Sequence, residues 1–132
     1  MSDQKTVLIV DDEADAIAFV ETALAEIGGV ATLSASDGVS GLQKAKEAKP
    51  DLIILDVQMP GKSGFDVFVD LKKDASTKDT PVIMLTGVAD KVGIRFSGRD
   101  MGEFMGEEPD AYIEKPVNPE ELQKTVSKLL GL

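Results

Sequence analysis

The sequence predicts an α/β fold in which helices cover both faces of a five-stranded parallel sheet. Short apolar runs rich in β-branched residues alternate with segments of helical period, as in parallel α/β proteins. The run Leu52–Leu55 is apolar at every position, which is typical of a central strand buried on both sides. A length of 132 residues, of which 42% are hydrophobic, is enough for one domain with one core.

The first βα unit consists of the apolar strand Val7–Val10 and a helical segment between Asp12 and Ile27. Apolar residues in this segment recur three or four positions apart, which places them on one helical face: Ile17, Val20, Leu24 and Ile27. Two glycines at positions 28 and 29 then provide a stop signal for the helix.

The second unit pairs a strand from Val30 to Ala35 with a helix from Asp37 to Ala48. The helix is expected to use three apolar residues at threefold spacing, namely Val39, Leu42 and Ala45. Pro50 ends it, because the residue before a proline disfavours the helical conformation.

The third strand is Leu52–Leu55, and the turn Met59–Gly61 separates it from a third helix that starts near Ser63. This helix is expected to bury three apolar side chains, those of Phe65, Phe68 and Leu71. The fourth strand is Pro81–Leu85.

The last strand is predicted at about Asp110 to Glu114, and the final helix has a strong start signal with Asn118 as N-cap and Pro119 at its first position. Its buried stripe comprises Leu122, Val126, Leu129 and Leu130, and Gly131 ends it. Completing the alternation requires one more helix between Gly87 and Glu108. That stretch holds five glycines, so we expect a broken or displaced helix with an extended loop. Three apolar residues there either cover the sheet, which we favour, or form a partner-binding surface: Met101, Phe104 and Met105.

The composition excludes several classes of function. There are 24 acidic and 14 basic residues, so the net charge of −10 would repel nucleic acid and anionic membranes, and we expect neither as a partner. The chain has no cysteine or histidine, which excludes disulfides, thiolate nucleophiles and Cys/His zinc sites. The N-terminus lacks the apolar core of a signal peptide, and no apolar run approaches the ~18 residues of a membrane span. These features predict a cytoplasmic protein.

Polar residues with complementary chemistry follow the predicted strands. The strands end in Asp11 and Asp12, in Asp56, in Thr86 and in Lys115, and ligand sites of parallel sheets lie at these carboxyl ends. If the first and third strands are neighbours, three carboxylates converge, and their mutual repulsion favours binding of a hard cation such as Mg²⁺.

Such a site can accept a phosphoryl group without histidine or cysteine. One carboxylate attacks the phosphorus to form an acyl phosphate, while Mg²⁺, an ammonium and a hydroxyl neutralise the phosphoryl oxygens. Asp56, Lys115 and Thr86 are suited to these roles.

Each residue also has a simpler structural interpretation. Asp11 and Asp12 are suited to begin a helix, Asp56 to begin a turn, Lys115 to be solvated and Thr86 to end a strand. Because all of them follow predicted strands, we favour the interpretation as a site.

The chain resembles the receiver domain of two-component response regulators over about residues 5 to 130. Four ordered motifs carry the resemblance: Asp11-Asp12 after a strand, the segment Asp56–Gly64, Thr86-Gly87, and Lys115-Pro116 before the last helix. The resemblance implies a doubly wound, flavodoxin-like sheet with strand order 2-1-3-4-5. Residues 1–132 are then expected to form a single receiver domain with no output domain.

The resemblance also implies site roles. Asp56 would accept phosphoryl from a histidine kinase or a histidine phosphotransfer protein. Asp12 and Asp56 would bind Mg²⁺ together with the backbone carbonyl of Gln58, and Asp11 would act mostly through water. Lys115 would form an ion pair with the phosphoryl group.

Two further residues are implied to switch conformation. Thr86 would move to hydrogen-bond the phosphoryl group, and Tyr112 would change rotamer with it. The alternative for Tyr112 is a ring that simply packs with its hydroxyl in water. The peptide bond between Lys115 and Pro116 would be cis.

The expected function is therefore a phosphorylation-controlled protein-binding switch or phosphorelay intermediate that acts on an unidentified downstream protein. It would be a phosphoryl acceptor that promotes its own phosphorylation and dephosphorylation, rather than an enzyme. One alternative is a small phosphatase with an aspartyl-phosphate intermediate, but such enzymes usually carry an acid two residues after the nucleophile, where this chain has Gln58. The other is an adaptor that binds independently of phosphorylation, which the intact set of site residues argues against.

Overall fold

The computed structural model describes residues 4–87 and 109–132. The described strands are β1 (Lys5–Val10), β2 (Val30–Ala35), β3 (Leu52–Asp56), β4 (Val82–Thr86) and β5 (Ala111–Glu114). The described helices are α1 (Ala14–Ala25), α2 (Gly38–Ala48), α3 (Gly64–Lys73) and α4 (Pro119–Leu130). The helix expected between Gly87 and Glu108, with Met101, Phe104 and Met105, lies outside the described residues.

The five strands form one parallel sheet in the order β2-β1-β3-β4-β5, as predicted. The strand order reverses between β1 and β3, whose register places Val10 beside Leu55. Polar residues that follow these two strands therefore lie at the same edge of the sheet, next to the point of reversal. This is the position at which open parallel sheets bind ligands.

Two hydrophobic layers enclose the sheet, because alternate residues of a strand face opposite sides. Leu8 and Val10 face α2 and α3 and pack with a cluster that includes Phe68. Val7 and Ile9 face α1 and α4. The predicted arrangement with helices on both faces is confirmed for the described part of the chain.

Side chains predicted to begin helices form the expected caps. Asp37 Oδ1 accepts the amide N–H of Ser40 at 2.7 Å, Ser63 caps α3, and Asn118 Oδ1 accepts the amide of Glu120 at 2.9 Å. Helix α1 differs because it begins only at Ala14 and has no side-chain cap. Asp11 and Asp12 precede that helix and are not part of its first turn.

The expectation for the buried face of α2 is wrong at Val39. That side chain is 66% exposed, whereas Gly38, Gly41 and Ala45 are buried. The reason is close packing: a Cβ on Gly41 would lie 2.7 Å from Cγ1 of Val10. Small residues let α2 approach β1, and this requirement outweighs the apolar spacing.

Candidate functional site

Three carboxylates meet at the carboxyl edge of the sheet. Asp11, Asp12 and Asp56 each offer one carboxylate oxygen, and these oxygens lie within 4.8 Å of one another. Asp56 is the last residue of β3, and Asp11 and Asp12 follow β1 directly. Asp11 and Asp56 are buried, with 1% and 3% exposure, while Asp12 is exposed. The convergence predicted from the strand ends is therefore present.

Lys115 contacts two of these carboxylates. Its Nζ lies 3.0 Å from Oδ1 of Asp56 and 3.4 Å from Oδ2 of Asp11. The backbone fixes its position, because the amide N–H of Lys115 donates to the carbonyl oxygen of Thr86 at 2.6 Å. The cation therefore stands between the ends of β1 and β3, although it follows the edge strand β5.

Burial and charge shift the pKa values of this pair. Burial raises the pKa of Asp56 to about 6, the hydrogen bond from Lys115 opposes this rise, and the nearby charge of Asp11 adds to it. Burial acts to lower the pKa of Lys115, but the hydrogen bond and charge of Asp56 outweigh it, and the pKa is raised. At neutral pH Lys115 is therefore an ammonium that faces a mostly ionised Asp56.

Both oxygens of Asp11 have partners within the protein. Oδ1 accepts the amide N–H of Glu13 at 2.9 Å, and Oδ2 faces Lys115. The amide of Glu13 could not be identified from the sequence as part of the site, because a backbone donor has no residue-type signal. It holds Asp11 at the start of the loop between β1 and α1.

The other predicted site residues lie on β4, on β5 and in the loop after β3. Thr86 ends β4 and is 4% exposed, and Gln58 is exposed in the loop after β3. Tyr112 lies on β5 beside Met84 and is 37% exposed. The peptide bond between Lys115 and Pro116 is cis. These are positions only, and the switch roles of Thr86 and Tyr112 stay predictions.

The donors in this pocket suit a hard divalent cation. They are carboxylate oxygens, and the chain has no histidine or cysteine to supply a softer ligand. With all groups ionised, three carboxylates and one ammonium leave two negative charges to compensate. The residues therefore fit Mg²⁺, which Asp11, Asp12 and Asp56 would hold.

A cavity of about 240 Å³ opens beside Lys115. Its lining is mostly apolar and includes Phe19, Val20, Leu85 and Pro116. Phe19 is 45% exposed and lies outside the buried stripe of α1, so helical spacing did not indicate it.

Comparison with known proteins agrees with this geometry. Residues 7–127 match the response regulator receiver domain. The chain belongs to the response regulator receiver family. Of the receiver structures that it resembles, the chemotaxis protein CheY4 of Vibrio cholerae superposes with a TM-score of 0.80 at 32% sequence identity. That alignment covers 96% of this chain and 98% of CheY4.

Two relatives in Pseudomonas aeruginosa differ in how much of their length this chain covers. Protein PilH is 38% identical over 129 residues, which cover 95% of this chain and 97% of PilH. The phosphate regulon transcriptional regulatory protein PhoB is 37% identical over 126 residues, which cover 96% of this chain and 52% of PhoB. The chain thus spans about half the length of PhoB and of several other curated relatives.

The helices within residues 4–87 and 109–132 are too short or too polar to cross a lipid bilayer.

Proposed function

We propose that this receiver accepts a phosphoryl group on Asp56 in a Mg²⁺-dependent reaction. The observation that carries the proposal is the placement of Asp56. Its Oδ1 lies 3.0 Å from the Lys115 ammonium, and it shares a pocket with Asp11 and Asp12. Such a cluster of acids around one nucleophile and one cation suits phosphoryl transfer, which depends mainly on positioning and charge neutralisation.

In the proposed reaction a carboxylate oxygen of Asp56 attacks the phosphorus of a phosphohistidine. The new O–P bond forms as the N–P bond breaks, and the departing imidazole keeps the electron pair and takes up a proton. Asp56 must be ionised to attack, and a pKa of about 6 leaves it mostly ionised at neutral pH. Lys115 then pairs with the phosphoryl oxygens, and the hydroxyl of Thr86 is the proposed further donor.

Asp11, Asp12, Asp56 and the backbone carbonyl of Gln58 are the groups that would hold Mg²⁺. When bound, Mg²⁺ neutralises the carboxylates and the charge on the phosphoryl oxygens. The carboxylate of Asp11 is held in place by the amide of Glu13 and by Lys115.

The proposed donor is a histidine kinase or a histidine phosphotransfer protein, and the proposed output is altered binding of a downstream protein. The protein is then a phosphoryl acceptor rather than an enzyme that turns over a substrate. PhoB is named as a transcriptional regulatory protein. The charge argument against nucleic acid therefore concerns these 132 residues and not a longer protein.

Intact-protein mass spectrometry after incubation with acetyl phosphate tests the proposal. We expect one phosphoryl adduct on the wild type, formed only with Mg²⁺, and none on Asp56→Asn. The matched control is Asp79→Asn, which removes an exposed carboxylate in the turn before β4 and should be phosphorylated like the wild type. An adduct on Asp56→Asn, or one that forms equally in excess EDTA, would contradict the proposal.

A further inference from the structure

The first residue of α3 touches the backbone of the proposed acceptor. The amide N–H of Gly64 donates to the carbonyl oxygen of Val57 at 2.9 Å. A Cβ added to Gly64 would lie 2.2 Å from the carbonyl oxygen of Asp56 and 2.8 Å from Cα of Val57. Both distances are shorter than atoms in contact tolerate, so any larger residue must displace one of the two segments.

Gly64 is needed for space and not for an unusual backbone conformation. Within residues 4–87 and 109–132 the glycines with a left-handed backbone are Gly28, Gly29, Gly61 and Gly131, and Gly64 is not among them. Its clash is also of a different kind from that at Gly41, where an added Cβ would meet the side chain of Val10. A side chain can change rotamer, whereas the peptide next to Gly64 cannot.

The peptide between Asp56 and Val57 is held on its other side as well. The amide N–H of Val57 donates to the carbonyl oxygen of Leu85 in β4 at 3.0 Å. On the side of Gly64, α3 is anchored by the buried side chains of Phe68 and Leu71. The acceptor peptide therefore sits between β4 and the start of α3, with no free space on the side of Gly64.

We propose that Gly64 is a positioning residue for Asp56. The absence of a side chain lets α3 lie against the acceptor peptide, and this contact sets where the Asp56 carboxylate stands relative to Asp11 and Lys115. The consequence for phosphorylation rests on the function proposed above. A change in Mg²⁺ affinity is expected whether or not Asp56 is phosphorylated, because Asp56 shares its pocket with Asp11 and Asp12.

A second glycine, Gly38 at the start of α2, packs closely against the loop between β3 and α3. A Cβ added to Gly38 would lie 2.8 Å from the carbonyl oxygen of Lys62, two residues before Gly64. It would also lie 2.8 Å from Cγ2 of Val67, a side chain that can adjust. Gly38→Ala is therefore a milder perturbation of the loop that carries Gln58.

The test compares the wild type with glycine variants. Calorimetric titration measures the Mg²⁺ affinity of each protein, and labelling by acetyl phosphate measures its rate of phosphorylation. Supporting groups around metal ligands typically change affinity about 10-fold to 100-fold when removed, and we expect Gly64→Ala to weaken Mg²⁺ binding by at least about 10-fold. The control is Gly28→Ala, which strains a turn at φ 80° without touching the site and should bind Mg²⁺ like the wild type. Urea unfolding of each variant ensures that folded proteins are compared.

Unchanged Mg²⁺ affinity in folded Gly64→Ala would overturn the inference, as would an equal loss in Gly28→Ala. If Gly64→Ala does not fold, Gly38→Ala decides. A loss of Mg²⁺ affinity in Gly38→Ala, smaller than the loss of about 10-fold expected for Gly64→Ala, supports the inference, and wild-type affinity overturns it. A wild type that binds no Mg²⁺ would also overturn it. A wild type that binds Mg²⁺ but is never phosphorylated would contradict the proposed function, while the affinity comparison still tests the role of Gly64.

Discussion

The ammonium of Lys115 lies 3.0 Å from Oδ1 of Asp56 and joins the ends of β3 and β5, two strands that are not neighbours in the sheet. The strand between them contributes to this contact, because the carbonyl oxygen of Thr86 in β4 accepts the amide N–H of Lys115. The ion pair therefore depends on the register of three strands. Its partial exposure, 27% for the lysine side chain, leaves room for an incoming group.

Replacing Lys115 with methionine should raise the pKa of Asp56 further. The hydrogen bond from Lys115 is the main influence that opposes burial, and removing an adjacent opposite charge typically raises the pKa of an acid by about 1 or more. The measurement is a ¹³C NMR titration of the Asp56 carboxyl in Mg²⁺-free buffer.

Lys46→Met is the control for this titration. Lys46 pairs with Asp74 at 3.4 Å on the surface, so its removal should leave the pKa of Asp56 at about 6. An Asp56 pKa that is the same in Lys115→Met and in the wild type would show that the ion pair does not act as described.

Asp56→Asn should stabilise the metal-free protein at neutral pH. The pKa of Asp56 is about 6 in the folded protein and 3.8 without burial, so between these values the folded state binds more protons than the unfolded state. Stability then falls as pH rises through this range, and asparagine has no such dependence. From pH 4 to pH 8 the difference in unfolding free energy should grow by about 1–3 kcal/mol in favour of the variant.

Urea denaturation at both pH values, in the presence of EDTA, measures this effect. The control is Asp79→Asn, which keeps Asp56 and removes an exposed carboxylate, so its unfolding free energy should follow that of the wild type at both pH values. Added Mg²⁺ should stabilise the wild type and reduce the advantage of Asp56→Asn, since ligands that bind only the folded state stabilise it. An advantage that is the same at pH 4 and pH 8 would contradict the account.

Thr77→Val should destabilise the fold without affecting phosphorylation. The buried hydroxyl of Thr77 donates to the carbonyl oxygen of Leu71 at 2.6 Å and holds the turn after α3. Losing a buried hydrogen bond typically costs about 1–2 kcal/mol. Thr77→Ser keeps the hydroxyl and should lose less stability in thermal or urea unfolding. Equal losses in the two variants would indicate that the methyl group contributes as much stability as the hydrogen bond, which would contradict this prediction.

The proposed switch predicts that phosphorylation changes the surroundings of Thr86 and Tyr112. NMR spectra with beryllofluoride as a phosphoryl mimic should show large shift changes at both residues, because one approaches the phosphoryl group and the other changes rotamer. In the same experiment Thr86→Val, which lacks the hydroxyl, should reduce the change at Tyr112. Unchanged wild-type signals at both residues would rule out this switch.

The strands, and the polar residues that follow them, could be predicted from the sequence because both depend on local patterns. Buried strands appear as continuous apolar runs such as Leu52–Leu55, and parallel topology then brings Asp11, Asp56 and Lys115 to one edge. The strand order itself came from the family resemblance and not from periodicity. Boundaries differ from the prediction by at most two residues, as at β4, which is Val82–Thr86 and not Pro81–Leu85.

Features that depend on contacts between distant segments could not be predicted. Val39 follows the helical spacing but is exposed, because the close approach of α2 to Val10 selects small residues. Lys49 ends α2 with a left-handed backbone, φ 49°, where sequence rules favour glycine. The contact of Gly64 with the Asp56 carbonyl has no local signal either. Each is a property of how two elements pack.

The most direct test of the central claim is to locate the phosphoryl group. The wild type is incubated with acetyl phosphate and Mg²⁺, treated with borohydride, which reduces an acyl phosphate to an alcohol with release of phosphate, and digested for peptide mass spectrometry. The account predicts conversion of Asp56 to homoserine and of no other aspartate. Homoserine at another position, or an adduct that borohydride does not convert, would contradict Asp56 as the acceptor.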